Sequence, residues 1–444
     1  MTINGGSLTA VSGTVTLNGV NPTDGTGLGD AGTFGGSFTL GVTNALRTDG
    51  NLSFAGGASN LNLNGNNQTI KGLISTASTG YTVNNNASST TSTLTVGNGG
   101  GDYSFGGVIR NNTTGTGILA LVKTGAGNQT LIGTNIFTGG TRIDDGTLTL
   151  GHATDTLSNT GAINVNGGTL ALGTNTDTVG VVTLTSGNIT GSGTASQGVL
   201  TGTSYDVRSG SVSAKLAGTG VALTKTTSGT VTLSAVNTYT GATNVNAGTL
   251  LINGSTSSTS LVTVNNGGTL GGTGTIGGSV TLNDGAFLSP GASIESLATG
   301  SNIWNGGSTF VFEFSTDGSS GTAGSQWDLL AITGNLDLTG ASISNPINFD
   351  LVTMEDAANS GLLGTWNPNA NALWAGFVTT TGGITNFAAN LFNIDITGFQ
   401  NTLNGSFSIA QNGNNLDLVY TAVPEPRAAL LGGLGLLALL RRRR

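Results

Sequence analysis

The sequence contains no cysteine and one histidine, His152, and only 8% of its residues are charged. Without cysteine there is neither a disulfide framework nor a thiolate metal site. A single histidine with no cysteine also leaves zinc without its usual ligands. Helix-building runs of Ala, Glu, Lys and Leu are almost missing before the last twenty residues. Basic residues are scarce too. Arg427 and Arg441–Arg444 moderate the formal charge of −8, and residues 1–423 alone carry −12. A body so poor in Lys and Arg offers phosphate no basic patch, which argues against a nucleic-acid partner. No cofactor is expected.

What is present is glycine, 77 residues in 444, with Thr, Ser and Asn spacing the apolar side chains. Ordered alternation of this kind distinguishes a β protein from a disordered Gly-rich chain. The alternation is also repetitive. Lys123–Gly151 returns 102 residues later as Lys225–Asn253, with Lys123 matching Lys225, Phe137 matching Tyr239 and Gly139 matching Gly241. Gly146-Thr147-Leu148 likewise matches Gly248-Thr249-Leu250, and the same tripeptide recurs after 22 residues (Gly146 to Gly168) or 20 residues (Gly248 to Gly268). A period near twenty is one β-helical coil, too short for a propeller blade or a helical repeat. The expected fold is all-β: a right-handed parallel β-helix (solenoid) over residues 1–300. Strands such as Gly13–Asn18, Thr93–Val96, Ala162–Val165, Val181–Thr185 and Leu261–Val264 alternate with period two between Gly, Asn, Asp and Ser corners. Leu150 is expected to point inward.

Residues 301–422 differ in texture, holding all four tryptophans, Trp304, Trp327, Trp366 and Trp374. They are read as a β-rich C-terminal capping module with the tryptophans in its core, and with a short helix within Asn386–Phe392. Residues 423–444 follow as a third segment. There Val423-Pro424-Glu425-Pro426 precedes the apolar Ala428–Leu440 and the cluster Arg441–Arg444. Thirteen apolar residues make a helix of about 20 Å, short of the roughly 30 Å hydrocarbon core. The polybasic end fits a short C-terminal apolar helix whose arginines stay on the cytoplasmic side of a membrane.

Pro424, Glu425 and Pro426, the apolar run and Arg441, Arg442, Arg443 and Arg444 together resemble a PEP-CTERM sorting signal. The resemblance implies an exosortase as processing partner and a transient stay in the inner membrane, with the arginines as the membrane stop. It also implies a Gram-negative host that makes exopolysaccharide. Residues 123–151 and 225–253 resemble the autotransporter-associated β-strand repeat, whose N-T-Y-T-G-G-T motif is met by Asn237-Thr238-Tyr239-Thr240-Gly241 and nearly by Asn135–Thr141. A true autotransporter ends in amphipathic membrane strands, and no such run ends this sequence. The sequence opens as MTINGGSLTA, inside a repeat and without a basic start or apolar h-region. The export signal is therefore expected outside it.

Because β-helices can carry carbohydrate-active sites, the acids need testing. Asp144-Asp145 is an adjacent acid pair within the repeats, and its counterparts in the second copy are Asn246 and Ala247. Two carboxylates serving a glycosidic bond must converge across a cleft, whereas residues just before Gly146 belong to a corner. Glu295 and Glu313 are expected to lack a partner acid. His152 follows a strand exit with no G-x-S-x-G elbow, so a catalytic triad is not expected. Gly25–Asp30 and Gly99–Asp102 lack the calcium-repeat spacing and read as loops. No catalytic or metal residue is assigned.

These readings converge on a non-catalytic exported surface or extracellular-matrix β-helix protein, adhesin-like or structural, facing exopolysaccharide or other cell-surface glycans. The alternatives are a β-helix polysaccharide lyase or hydrolase, and a passenger fragment with no function of its own.

Overall fold

The structure, a computed structural model, describes residues 14–17, 32–34, 36–54, 58–75, 80–192, 198–318, 321–356 and 359–424. It is an all-β parallel solenoid. Among the described residues the only helix is the 3-10 turn Ala389–Leu391, inside the stretch expected to be helical. None is long and apolar enough to cross a membrane. The expected C-terminal helix, with Glu425, Pro426 and Arg441–Arg444, lies outside the described residues. Pro424 is described and exposed.

The chain divides into two compact units, Met1–Thr249 with Asn253–Ser260, and Leu250–Ile252 with Leu261–Arg444. In the first, strands stack in parallel and in register, coil upon coil. One face runs through Gln68–Ile70, Thr91–Val96, Ile118–Lys123, Thr141–Ile143, Ile163–Gly173, Val181–Gly191, Ser204–Val207, Leu223–Lys225 and Thr243–Val245. Strict alternation turns every second residue inward, and Thr and Val suit this pleated, half-buried backbone. On a second face Leu131 aligns with Leu150, and Gln129, Leu148, Leu170, Ile189, Val212 and Leu233 continue a neighbouring inward column. Leu150 is buried as expected, at 1% exposure. On a third face Asp177, Leu200 and Leu216 share a column.

The Gly-Thr-Leu motif has a steric origin. Gly146 and Gly248 adopt φ of +62° and +65° at the corner that launches the strand. A Cβ on Gly146 would stand 2.3 Å from the Gly125 carbonyl oxygen, and one on Gly248 2.4 Å from that of Thr227. Only glycine meets both demands.

In the second unit the parallel coiling carries past residue 300. Strands Val280–Leu282, Asn302–Trp304, Asn335–Asp337 and Gly383–Thr385 stack on one face, and Phe287–Pro290, Thr309–Phe314, Ile347–Thr353 and Phe392–Asp395 on another. The interior here is rich in aromatic rings. Trp304 stacks on Phe310 with ring centroids 5.3 Å apart, and Phe310 stacks on Phe349 at 5.6 Å. Trp304, Trp327 and Trp374 are buried, whereas Trp366 is half-buried and edge-on to Tyr420. The third face ends differently. Strand Ala372–Thr380 pairs antiparallel with Asn415–Ala422, which pairs antiparallel with Gly405–Asn412.

Candidate binding face and buried polar groups

The solvent side of one face of the first unit carries two parallel columns. Register aligns Thr69, Thr95, Val122, Arg142, Asn164, Thr183, Asp206, Thr224 and Asn244. Beside them, Thr93 and Ala120 pair directly, and Gly140, Ala162, Val181, Ser204, Ala222 and Ala242 hold the same place in the coils that follow. One column is long and polar and the other is mostly small, so the face is stepped. Between Thr93 and Thr183 the step widens to a groove of about 270 Å³ floored by Ala120, Gly139, Gly140 and Ala162. At about 4.8 Å per coil the stepped face extends roughly 34 Å.

The polar column is cross-linked. Thr185 donates to the Asn164 side chain at 2.9 Å and Thr226 to Asp206 at 2.7 Å. Arg142 pairs with Asp144 at 2.8 Å, and Arg208 with Asp206 at 2.7 Å. These ion pairs are solvent-exposed and contribute little to stability. Their charges cancel locally, leaving a face that is polar and close to neutral.

Asp144 and Asp145 are turned to different partners. Asp144 is held by Arg142 and accepts from Asn166, while Asp145 turns back to accept its own corner's Gly146 N–H. The adjacent pair is a corner, as expected. Asp144→Asn is accordingly expected to shift the denaturation midpoint by an amount equivalent to less than about 0.5 kcal/mol. A loss of several kcal/mol would give Asp144 a larger part than its exposure allows.

Elsewhere the structure corrects the sequence reading. Glu295 and Glu313 do have a partner acid, since Asp328 lies between them and is fully buried. One Asp328 oxygen accepts from the Glu295 N–H at 3.1 Å and the other from the Glu313 N–H at 2.9 Å. Burial, followed by the neighbouring Glu313 and Glu295 charges, pushes its carboxyl well above the usual range. Burial and Glu295 push Glu313 up as well. Both oxygens of Asp328 are committed to backbone, which makes it a staple between a turn and a strand. Among the described residues no group of three metal-ligating side chains converges. Asp102 accepts from the Asn128 N–H one coil on, so Gly99–Asp102 is a structural turn. Gly25–Asp30 lies outside the described residues. The His152 ring bonds to the Thr154 carbonyl within its own corner.

The most unusual groups are two lysines that sequence reasoning aligned but did not place. Lys123 and Lys225 stand in the inward column Ile70, Val96, Lys123, Ile143, Val165, Leu184, Val207, Lys225, Val245. Both are fully buried. The Lys123 ammonium donates to the carbonyls of Thr124 at 2.8 Å, Gly125 at 2.6 Å and Asp145 at 3.1 Å. That of Lys225 donates to Thr227 and, at 2.9 Å, to Ala247. Burial lowers both amine pKa values, against the opposing pull of Asp145 and Asp102 on Lys123 and of Asp206 on Lys225. Each ammonium fills a ring of corner carbonyls that would otherwise lack donors. The signal was legible: in Ile118–Lys123 the lysine falls in phase with Leu119 and Leu121.

A second repeated device uses asparagine. Asn135 accepts from the Ile109 N–H at 2.8 Å and donates to the carbonyls of Gly133 and Thr156. Asn237, 102 residues later, accepts from the Leu216 N–H at 3.0 Å and donates to Ala235 and Ser255. Each amide staples three successive levels of the third face.

Comparison with known proteins agrees with these repeated devices. Residues 121–150 and 223–252 match the family model of the passenger-associated-transport-repeat. Both matches contain the lysine, the asparagine and the launching glycine. No curated protein matches the chain. Among solved structures, the crystal structure of the Haemophilus influenzae Hap adhesin is similar over 92% of this chain, with 13% identity and a TM-score of 0.42. The chain spans 54% of that adhesin, about half its length. Two of its coils are thus similar to passenger-associated-transport repeats.

Proposed function

We propose that the protein is an exported, non-catalytic β-solenoid of the bacterial surface or extracellular matrix, adhesin-like in action. In this reading it presents its stepped face to an extended, uncharged polymer such as exopolysaccharide or another surface glycan. The two matched repeats, with their passenger-associated transport description, support export. The observation that carries the reading is the pair of aligned columns from Thr93 to Asn244, small beside polar, repeating at coil spacing. Hydroxyl and amide side chains at a regular rise suit a chain of hydroxyls better than a single small substrate. The tail Pro424-Glu425-Pro426 with Arg441–Arg444 would deliver the body through an exosortase, with the inner membrane as a temporary station.

Filling the groove tests the face. Ala162 is exposed on its floor, so Ala162→Trp is expected to leave the unfolding midpoint unchanged. Retention on immobilised polysaccharide from the host surface is expected to weaken about tenfold, the loss of roughly 1.4 kcal/mol. Unchanged retention would remove the groove from the reading. Delivery is tested by intact mass in an exosortase-positive host and its exosortase-deleted twin, with an export signal supplied. Loss of about the last twenty residues only in the positive host is expected, as the motif's position near Pro424 implies. Full-length mass in both would leave the tail a plain anchor.

A further inference from the structure

On the third face of the first unit Asp177 accepts a backbone N–H as the asparagine staples do, but with a carboxyl group. Asp177 is 1% exposed and occupies the column with Leu200 and Leu216, leading to the level where Asn237 bonds. On its other side it receives the Leu157 N–H on Oδ2 at 3.0 Å, just as Asn135 receives Ile109 and Asn237 receives Leu216. An asparagine then donates from its amide to the carbonyl two residues upstream and to the next coil. A carboxylate cannot donate. The Oδ1 of Asp177 is buried and has no hydrogen-bond partner.

We propose that Asp177 is a proton-operated latch: carrying a proton on Oδ1 it takes the donor's part of the Asn135 and Asn237 amides, and ionised it loosens the Thr154–Leu157 corner against strand Thr176–Thr178. The surroundings agree. Burial pushes the Asp177 carboxyl up to about 7, helped by the like charge of Asp155 and opposed by backbone N–H groups at Leu157, Thr156 and Thr178. The titratable groups on the packed elements are few. The preceding corner brings Asp155 and His152, whose ring is bonded to the Thr154 carbonyl. Strand Val199–Thr201 brings none, and the neutral phenol of Tyr205 donates to the Leu200 carbonyl at 2.8 Å. Among the described residues Asp177 forms no ion pair.

The sign follows from linkage. The closed corner binds the proton more tightly than the opened one, where the carboxyl returns to its ordinary value of 3.8. Closure is therefore strongest below about pH 4, weakens by up to roughly tenfold per pH unit between about 4 and 7, and levels off above. Amide hydrogen exchange reads this residue by residue, and the structure supplies its own controls. In the wild-type chain the Leu157 protection factor is expected to fall by close to tenfold per unit from about pH 5 to 7. Ile109 and Leu216, bonded to asparagines, are expected to stay level. Asp177→Asn should remove the slope at Leu157, and Asn135→Asp should create one at Ile109. A direct carboxyl titration by carbon NMR should place the Asp177 midpoint near 7. A Leu157 slope no different from those of Ile109 and Leu216, a slope that survives Asp177→Asn, or a midpoint near 4 would each overturn the proposal. Should Asn135→Asp not fold, the Asp177→Asn comparison decides alone.

Discussion

Lys123→Met is expected to lower stability by about 3 kcal/mol, with Lys225→Met close behind. Methionine keeps the length and apolar character of the stem, so the inward column stays filled. What disappears is the donor at the carbonyls of Thr124, Gly125 and Asp145. Each buried carbonyl left without a donor costs about 1–3 kcal/mol, and part of that is offset because a charge no longer has to be dehydrated. The remainder is large against the roughly 5–15 kcal/mol that holds a typical domain together. Denaturant midpoints by circular dichroism measure the loss, and limited proteolysis locates it, with new cleavage expected between residues 124 and 146. If either variant stayed within about 0.5 kcal/mol of the parent, water must serve those carbonyls as well as the ammonium does.

Leu150→Asp is expected to be more severe, about 5 kcal/mol or beyond. The side chain is 1% exposed and faces Leu131 one coil earlier. Substitution removes a full leucine from that interior and leaves an unpaired carboxylate among aliphatic neighbours. Soluble yield and denaturant midpoint report the effect. Acid should recover part of it, because protonation removes the buried charge. Thr147→Asp, three residues earlier and facing outward, is the control, with an expected cost under about 1 kcal/mol. Similar losses at both positions would contradict the strict inward–outward alternation of Thr147–Leu150.

The fold was legible because one rule, period-two alternation between glycine corners, applies in coil after coil. The rule placed Leu150 inside and Asp144-Asp145 at a corner. It also carried the information that Lys123 faces inward, in phase with Leu119 and Leu121. The partnership of Asp328 with Glu295 and Glu313 was not legible for a different reason. The three come from separate elements, and their convergence depends on how many residues each coil spends, which alternation does not encode. Asp177 lies between two threonines, Thr176 and Thr178, in a setting that looks solvated until the stacking of Leu200 is known. The columns of the stepped face needed register, because Ala120, Gly140 and Ala162 are unremarkable singly and form a floor only when aligned.

The lysine plugs bear on how such a chain can lengthen. Lys123 and all three carbonyls it serves lie within residues 121–150, and Lys225 with Thr227 and Ala247 within 223–252. A gene duplication that copies such a segment therefore copies the ammonium together with the ring it fills. The new coil arrives electrostatically complete and requires no compensating change elsewhere. A solenoid assembled from self-sufficient cassettes can gain or lose turns while each corner remains satisfied.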